Sequence, residues 1–325
     1  MKTPDYGVIA IGRNEGERLK QCLRSVSDTV PIVYVDSGST DDSVGWAKDR
    51  GLDVVQLDPN IPFTAARARN AGFKRLREIA PGLNYVQFID GDCELNESWP
   101  QEAISFLDEH PAACAAFGRR RERYPDKSIY NRLCDREWNT PIGEALACGG
   151  DVMIRVDALQ IVGGYRDELI AGEEPELCAR LRTAGWQIWR LDFEMTLHDA
   201  AITHFYQWWQ RTVRSGYAYA LWAELHGTAP DRQGVWQSHR ALLWGLYVPI
   251  GCLVAIILFG IWGTAGFLIY PLQLLRRALL IKGTMQCRIE CSFFEMISRF
   301  PEAIGQIKFL GDRLRGHAPD LIEYK

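Results

Sequence analysis

The sequence predicts an α/β fold: a mostly parallel sheet flanked by helices, then a hydrophobic helical hairpin and amphipathic C-terminal helices. Three observations lead there. Short apolar runs alternate with helix-spaced segments through the first half, the pattern of a sheet covered on both faces. From Ala241 to Leu275 there are 35 residues without one Asp, Glu, Lys or Arg. Beyond that run the chain becomes polar, amphipathic and basic, with Arg276, Arg277, Lys282, Arg288, Arg299, Lys308, Arg313 and Arg315.

Each element has its own local pattern. Gly7-Val8-Ile9-Ala10-Ile11 is a buried-strand run, and residues 17–27 carry Leu19, Cys22, Leu23 and Val26 at helical spacing. A second strand runs from Pro31 to Asp36 and ends in Ser37-Gly38-Ser39-Thr40, a turn composition. Thr40 or Asp41 is placed to cap a helix through Ala47. Residues 52–57 read as a third strand, 64–79 as a basic amphipathic helix, and 84–89 as a fourth strand. That strand ends at Asp90-Gly91-Asp92. Residues 101–110 are helical. The charged stretch 119–136, with Arg119, Arg120, Arg121 and Arg123, reads as a solvated face or a phosphate contact. Gly149-Gly150 leads into another strand, where the glycines serve a turn or close approach to a ligand. A helix over 173–183 and a short strand over 186–191 complete the globular part.

Composition narrows the function. The chain has 325 residues, 47% of them hydrophobic, and a net charge of −4, so nucleic acid is not an expected partner. Nine cysteines with no CxxC pair argue against a disulfide framework or a structural zinc site and suit a reducing compartment. The start, Met1-Lys2-Thr3-Pro4-Asp5, has no apolar signal stretch, which predicts a cytoplasmic globular part. One bilayer-spanning helix needs about 20 apolar residues, so 35 is long for one span and short for two. Gly260, Gly263 and Gly266 interrupt the run, favouring a hairpin of two short helices or a re-entrant pair. Its basic bias places the tail beyond the run on the cytoplasmic side. Trp208, Trp209, Tyr217, Tyr219 and Trp222 precede the run and suit a membrane boundary, a second copy of the chain, or packing within the fold.

Two aspartates sit where apolar strands end, Asp36 and Asp90, and ligands of such sheets bind outside the carboxyl ends of the strands. Asp90 and Asp92 two residues apart make a hard-cation site with phosphate as a natural co-ligand.

In this order the motifs resemble the inverting nucleotide-sugar glycosyltransferases of family 2, which have the GT-A fold. The pieces are Ala10-Ile11-Gly12-Arg13-Asn14-Glu15, Val35-Asp36-Ser37-Gly38-Ser39-Thr40-Asp41, Ala68-Arg69-Asn70-Ala71-Gly72, Asp90-Gly91-Asp92 and Gly172-Glu173-Glu174-Pro175-Glu176-Leu177. They cover roughly residues 7 to 215. The membrane-associated second half resembles the bacterial subset that acts on lipid-linked or envelope-polysaccharide acceptors.

The resemblance implies roles for individual residues. Asn14, Glu15 and Asp36 hold the base and ribose of the donor, with Arg69 and Asn70 beside the nucleotide site. Asp92 holds the metal, Mg²⁺ or Mn²⁺, and Asp90 lies near ribose and metal. His198 completes the metal shell, with His204 the rival. The general base comes from the acceptor helix, where Glu174 stands in place of the usual Asp and Glu173 is the alternative. The usual Gln-x-x-Arg-Trp element is altered to Gln207-Trp208-Trp209-Gln210-Arg211, leaving Arg211 and Arg214 as candidates for diphosphate contact.

The implied partners are a nucleoside-diphosphate sugar, UDP-linked by preference, a lipid-linked or saccharide acceptor, and the bacterial inner membrane. The expected divisions are a catalytic domain over 1–215, a membrane-associated helical region over 216–281 and an amphipathic cytoplasmic tail over 282–325. A homo-oligomer is a further expectation. The competing classes are a sugar-phosphate nucleotidyltransferase-like enzyme and a non-catalytic membrane scaffold.

Overall fold

A computed structural model describes residues 5–227, 232 and 234–316. The first part alternates β1 (Tyr6–Gly12), α1 (Glu17–Ser25), β2 (Ile32–Asp36), α2 (Ser43–Asp49), β3 (Asp53–Gln56), α3 (Ala65–Ile79) and β4 (Tyr85–Asp90). It continues through β5 (Cys93–Leu95), α4 (Trp99–Glu109), β6 (Ala113–Glu122), α5 (Ile129–Glu137), β7 (Gly143–Glu144), β8 (Val152–Arg155), α6 (Val156–Ile161), α7 (Glu173–Thr183) and β9 (Gln187–His198). The helices α8 (Phe205–His226), α9 (Val235–Leu242), α10 (Val248–Phe259), α11 (Ile269–Leu280), α12 (Met285–Ile297) and α13 (Arg299–Arg315) come after them. The described residues divide between two units, residues 1–201 and 202–325. The division precedes α8, so residue 215 falls inside a continuous helix of the second unit.

The sheet of the first unit runs β3-β2-β1-β4-β8-β6-β9-β5, with β7 beside β9. Its first four strands are parallel, as their near-continuous apolar runs predict. Beyond β4 the sheet is mixed: β8 pairs antiparallel with β4 and β6, and β9 runs parallel to β6. β1 pairs on both sides, with Gly12 opposite Asp36 and Ile11 opposite Asp90. Both aspartates therefore flank the end of one strand, two strand spacings or roughly 10 Å apart.

Two features of the sequence bring the site close to the sheet. Gly72 on α3 has no Cβ, and one built there would lie 2.4 Å from Ile9 and 2.9 Å from Val35. The helix therefore rests on β1 and β2, with Arg69 one turn away. Gln87, buried in the middle of β4, accepts a hydrogen bond from the Trp99 indole at 2.9 Å, which satisfies a polar group in an apolar layer.

The second unit packs helices at backbone contact. A Cβ on Gly216 would lie 2.0 Å from the Glu302 carbonyl oxygen, and one on Gly305 would lie 2.1 Å from that of Val213. α8 and α13 thus cross glycine to backbone. The apolar stretch 235–280 turns back at Gly260, whose φ is 59°. Gly263 lies against the Ala255 carbonyl, and the Tyr270 hydroxyl donates to the Trp244 carbonyl at 2.8 Å. The predicted hairpin is therefore present.

Gly305→Ala should cost about 1–3 kcal/mol by forcing α8 from α13. The thermal midpoint, monitored by circular dichroism, should fall by several degrees. An unchanged midpoint would mean that the two helices are not in backbone contact.

Candidate active site

The candidate site forms at the carboxyl ends of β1, β2 and β4 and gathers side chains from α3, α7, β6, β8 and β9. Its floor is a pair of turns. Asp36 is buried and accepts from the Tyr34 hydroxyl and from the Gly38 and Ser39 amides, each at 3.0 Å. Asn14 has a positive φ of 56°; its Oδ1 accepts from the Thr40 amide at 2.7 Å, and its own amide donates to Ser39 Oγ at 2.9 Å. Thr40 is occupied there, so α2 starts later than expected, with Asp42 at its N-cap. Glu15 pairs with Arg18 at 2.7 Å, and its Cγ lies beside Gly12 and Gly91. Asn14, Glu15 and Asp36 thus share one edge.

At the centre is Arg69, 2% exposed. One guanidinium nitrogen donates to Glu173 at 3.0 Å, and another to Asp90 at 3.0 Å and Glu174 at 3.2 Å. The plane lies 5.5 Å from the Tyr165 ring. Arg69 joins the fourth strand to the start of α7. Asn70 turns to the loop before α7, donating to the Tyr165 carbonyl at 2.7 Å and to Asp167 at 2.6 Å. Its partners hold that loop.

A second arginine completes the frame. Arg120 reaches Asp90 at 3.2 Å and Asp151 at 2.8 Å, with its guanidinium 5.5 Å from the Trp138 ring. Asp151 is fully buried and also accepts from the Asp90 amide at 2.9 Å and the Thr196 hydroxyl at 2.7 Å. Arg119 pairs with Asp135 at 2.9 Å, Arg121 with Glu194 at 2.6 Å, and Arg123 with Glu94. The first half of the arginine-rich stretch belongs to strand β6 and is matched to carboxylates, with Arg119 and Arg120 largely buried and Arg121 on a solvated face. The run from Ala112 to Phe117, apolar without interruption, marks that strand in the sequence. Asp151 has a weaker signal, an aspartate directly after Gly149-Gly150 and before a buried strand.

The carboxylates differ in their electrostatics. Burial opposes ionisation of Asp90, but Arg69 and then Arg120 outweigh it and hold Asp90 below the usual carboxylate range. Glu174 is pushed up to about 7 by burial and then by Glu173, against the opposing pull of Arg69. The Glu174 side chain is 18% exposed and that of Glu173 is 5%. Of the two, Glu174 is the carboxylate that can both reach solvent and change protonation near neutral pH.

Both Asp90 oxygens face guanidinium groups, which leaves Asp92 as the better metal ligand of the pair. β5 and β9 place Cys93 opposite His198, and His198 Nε2 lies 3.2 Å from Asp92 Oδ1. His198 is 7% exposed, and its Nδ1 meets no hydrogen-bond partner among the described residues. A buried imidazole beside a buried carboxylate fits a divalent cation. His204, the rival, caps α8 with Gln207, whose Oε1 accepts from the His204 amide at 3.0 Å. Arg211 and Arg214 lie on α8, in the second unit.

Residues 8–158 match the family model described as glycosyl transferase family 2. Glycosyltransferase AglE of Haloferax volcanii is 25% identical over 201 residues, 57% of this chain and 64% of that protein. Succinoglycan biosynthesis protein ExoA of Rhizobium meliloti is 23% identical over 192 residues, 54% of this chain and 55% of that protein. The chain thus spans less than two thirds of the length of these curated relatives. Among solved structures, the mannosyltransferase PcManGT of Pyrobaculum calidifontis, in complex with GDP-Man and Mn²⁺, superposes with a TM-score of 0.66 at 18% identity. That alignment covers 96% of this chain and 89% of PcManGT. The fold is the expected GT-A type.

Gly150 is required by this frame, because a Cβ there would lie 2.4 Å from the Arg69 guanidinium and 2.9 Å from the Asp90 carboxylate. Gly150→Ala should lower stability by about 1–3 kcal/mol, read as a lower urea midpoint. An unmoved midpoint would show that Arg69 and Asp90 do not meet under Gly150.

Proposed function

We infer that this chain, which belongs to glycosyl transferase family 2 through its first unit, transfers a sugar from a nucleoside diphosphate to an acceptor hydroxyl with inversion at the anomeric carbon. The observation that carries this reading is the link made by Arg69. One buried guanidinium ties the acidic strand end, Asp90, to the acidic helix start, Glu173 and Glu174. A site for a leaving diphosphate and a base for an incoming hydroxyl then stand on one rigid frame.

In the proposed reaction Asn14, Glu15 and Asp36 position the base and ribose of the donor. Asp92 and His198 would hold the divalent cation, taken as Mn²⁺, which would supply positive charge to the donor diphosphate. Arg211 and Arg214 are proposed to add charge at the diphosphate. Glu174 accepts the proton of the acceptor hydroxyl. The oxygen attacks the anomeric carbon opposite the diphosphate, the bond from that carbon to the diphosphate oxygen breaks, and the nucleoside diphosphate leaves. One displacement inverts the centre. Glu173, held by Arg69, keeps Glu174 partly protonated and fixes its direction.

We take the donor to be a UDP-sugar and the acceptor to be a lipid-linked or envelope saccharide presented at the bacterial inner membrane. Support for the acceptor is the name of the ExoA relative, a succinoglycan biosynthesis protein, together with the apolar stretch 235–280, long and apolar enough to cross a membrane. The catalytic unit is proposed to face the cytoplasm, where nucleotide sugars are made.

General-base catalysis contributes roughly 10²–10⁴-fold, so Glu174→Gln should lose that factor in kcat while binding UDP with Mn²⁺ as the wild type does. Equal turnover in the variant would reject Glu174 as the base. Because the base must be ionised, wild-type kcat should rise with pH along an acidic limb whose midpoint lies near pH 7, set by the Glu174 value of about 7, and level off about one unit higher. A profile already flat from pH 5 upward would contradict this. Asp92→Asn should raise the Mn²⁺ concentration needed for half-maximal turnover, and an unchanged requirement would place the metal elsewhere. Release of pyrophosphate from a nucleoside triphosphate without sugar transfer would identify a nucleotidyltransferase instead.

A further inference from the structure

We propose that the apolar hairpin of the second unit enters one leaflet of the bilayer and turns back inside it, with α12 and α13 lying along the same membrane surface. The proposal rests on the membrane placement of the proposed function and concerns depth and topology, which that placement leaves open.

Length sets the depth. α9 and α10 run toward the turn at Gly260, but the outgoing arm is clamped at Gly245, where a Cβ would lie 2.0 Å from the Arg299 carbonyl of α13. Only the fifteen residues after Gly245, through Gly260, project beyond that helix, about 22 Å at 1.5 Å per residue. A hydrocarbon core is about 30 Å thick. The return arm is tied at the same level, since Tyr270 donates to the Trp244 carbonyl. The projecting part passes the midplane and stops short of the far headgroups.

Composition of the tip agrees. Ile257, Ile261 and Trp262 are 82%, 77% and 83% exposed, and none has a charged neighbour in sequence. The one hydroxyl near the turn, Thr264, donates to the Ile261 carbonyl at 2.6 Å. A tip that emerged into water on the far side would carry charged groups, and residues 241–275 carry none.

The clamp itself is amphipathic. Ile304, Ile307, Leu310 and Leu314 are exposed on α13, and at 100° per residue they fall in an arc of about 120°. α12 repeats the pattern with Met285, Ile289 and Phe293, also exposed. Lys308 and Arg315 are exposed on α13, and Arg276 near the end of α11 and Lys282 just after it are exposed as well, as suits anionic headgroups. A helix of this kind buries its apolar face about 5–10 Å into the interface, which sets the surface from which the hairpin descends.

The test uses full-length protein with Cys287 and Cys291 changed to serine, a nitroxide attached at Trp262→Cys or Ile307→Cys, and vesicles of phosphatidylethanolamine and phosphatidylglycerol. Both labelled proteins should float with the vesicles. The Trp262→Cys label should be broadened by oxygen but not by a nickel chelate on either side of the membrane. The Ile307→Cys label should show intermediate access to nickel from the side of addition. Broadening of the Trp262→Cys label by nickel trapped inside the vesicles would establish a spanning hairpin and overturn the proposal. Full nickel access at Ile307→Cys would remove α13 from the interface and do the same. Failure to float would overturn the membrane placement as well, while sugar transfer to a soluble acceptor would still report on the active site.

Discussion

Burying one guanidinium among three carboxylates is the constraint on which the first unit depends. Arg69 is nearly inaccessible, and its contacts with Asp90, Glu173 and Glu174 join segments that lie far apart in the chain. Removing one partner from a buried ion pair typically costs about 3–5 kcal/mol, because the other charge is left in a poor solvent. The sheet edge and the start of α7 are therefore held together as a unit. Gly72 and Gly150 are small for the same reason: one lets α3 lie on the sheet, and the other leaves space above the Arg69–Asp90 pair.

Charge is divided unevenly within that cluster, and the proposed reaction uses the division. Asp90 faces two arginines and stays ionised, so it serves as a fixed element of the frame. Asp92 faces inward toward His198, where a cation fits. Glu174 keeps only part of one guanidinium and shares its surroundings with Glu173, which leaves it close to neutral pH. Neighbouring carboxylates of similar intrinsic acidity thus acquire separate tasks from their surroundings.

Much of this is legible in the order of residues alone. The alternation of apolar runs locates β1 to β4 closely, because a parallel strand buried on both faces has no reason to alternate. The strand-end aspartates and the Glu173–Glu174 helix start are visible as well. The long-range pairings are not. Arg119 and Arg120 look like surface charge because their partners, Asp135 and Asp151, lie elsewhere in the sequence. Local composition cannot tell a solvated arginine from a buried, matched one. The same holds for Arg69, whose ion pairs with Asp90, Glu173 and Glu174 reach across segments far apart in the chain. In the second unit, the length of the charge-free run predicts a hairpin, but the clamp at Gly245 depends on α13, a helix distant in sequence.

Arg69, on this account, sets the protonation of the base while holding it in place. The most direct test is the pH dependence of kcat for the wild type and Arg69→Gln, with Mn²⁺ and a donor sugar present at saturation. Arg69 draws the Glu174 value downward, so its loss should move the acidic limb of the profile to higher pH and lower the plateau. A variant whose plateau falls while its acidic limb stays where the wild type has it would contradict the account, since Arg69 would then be supporting the fold without tuning the base.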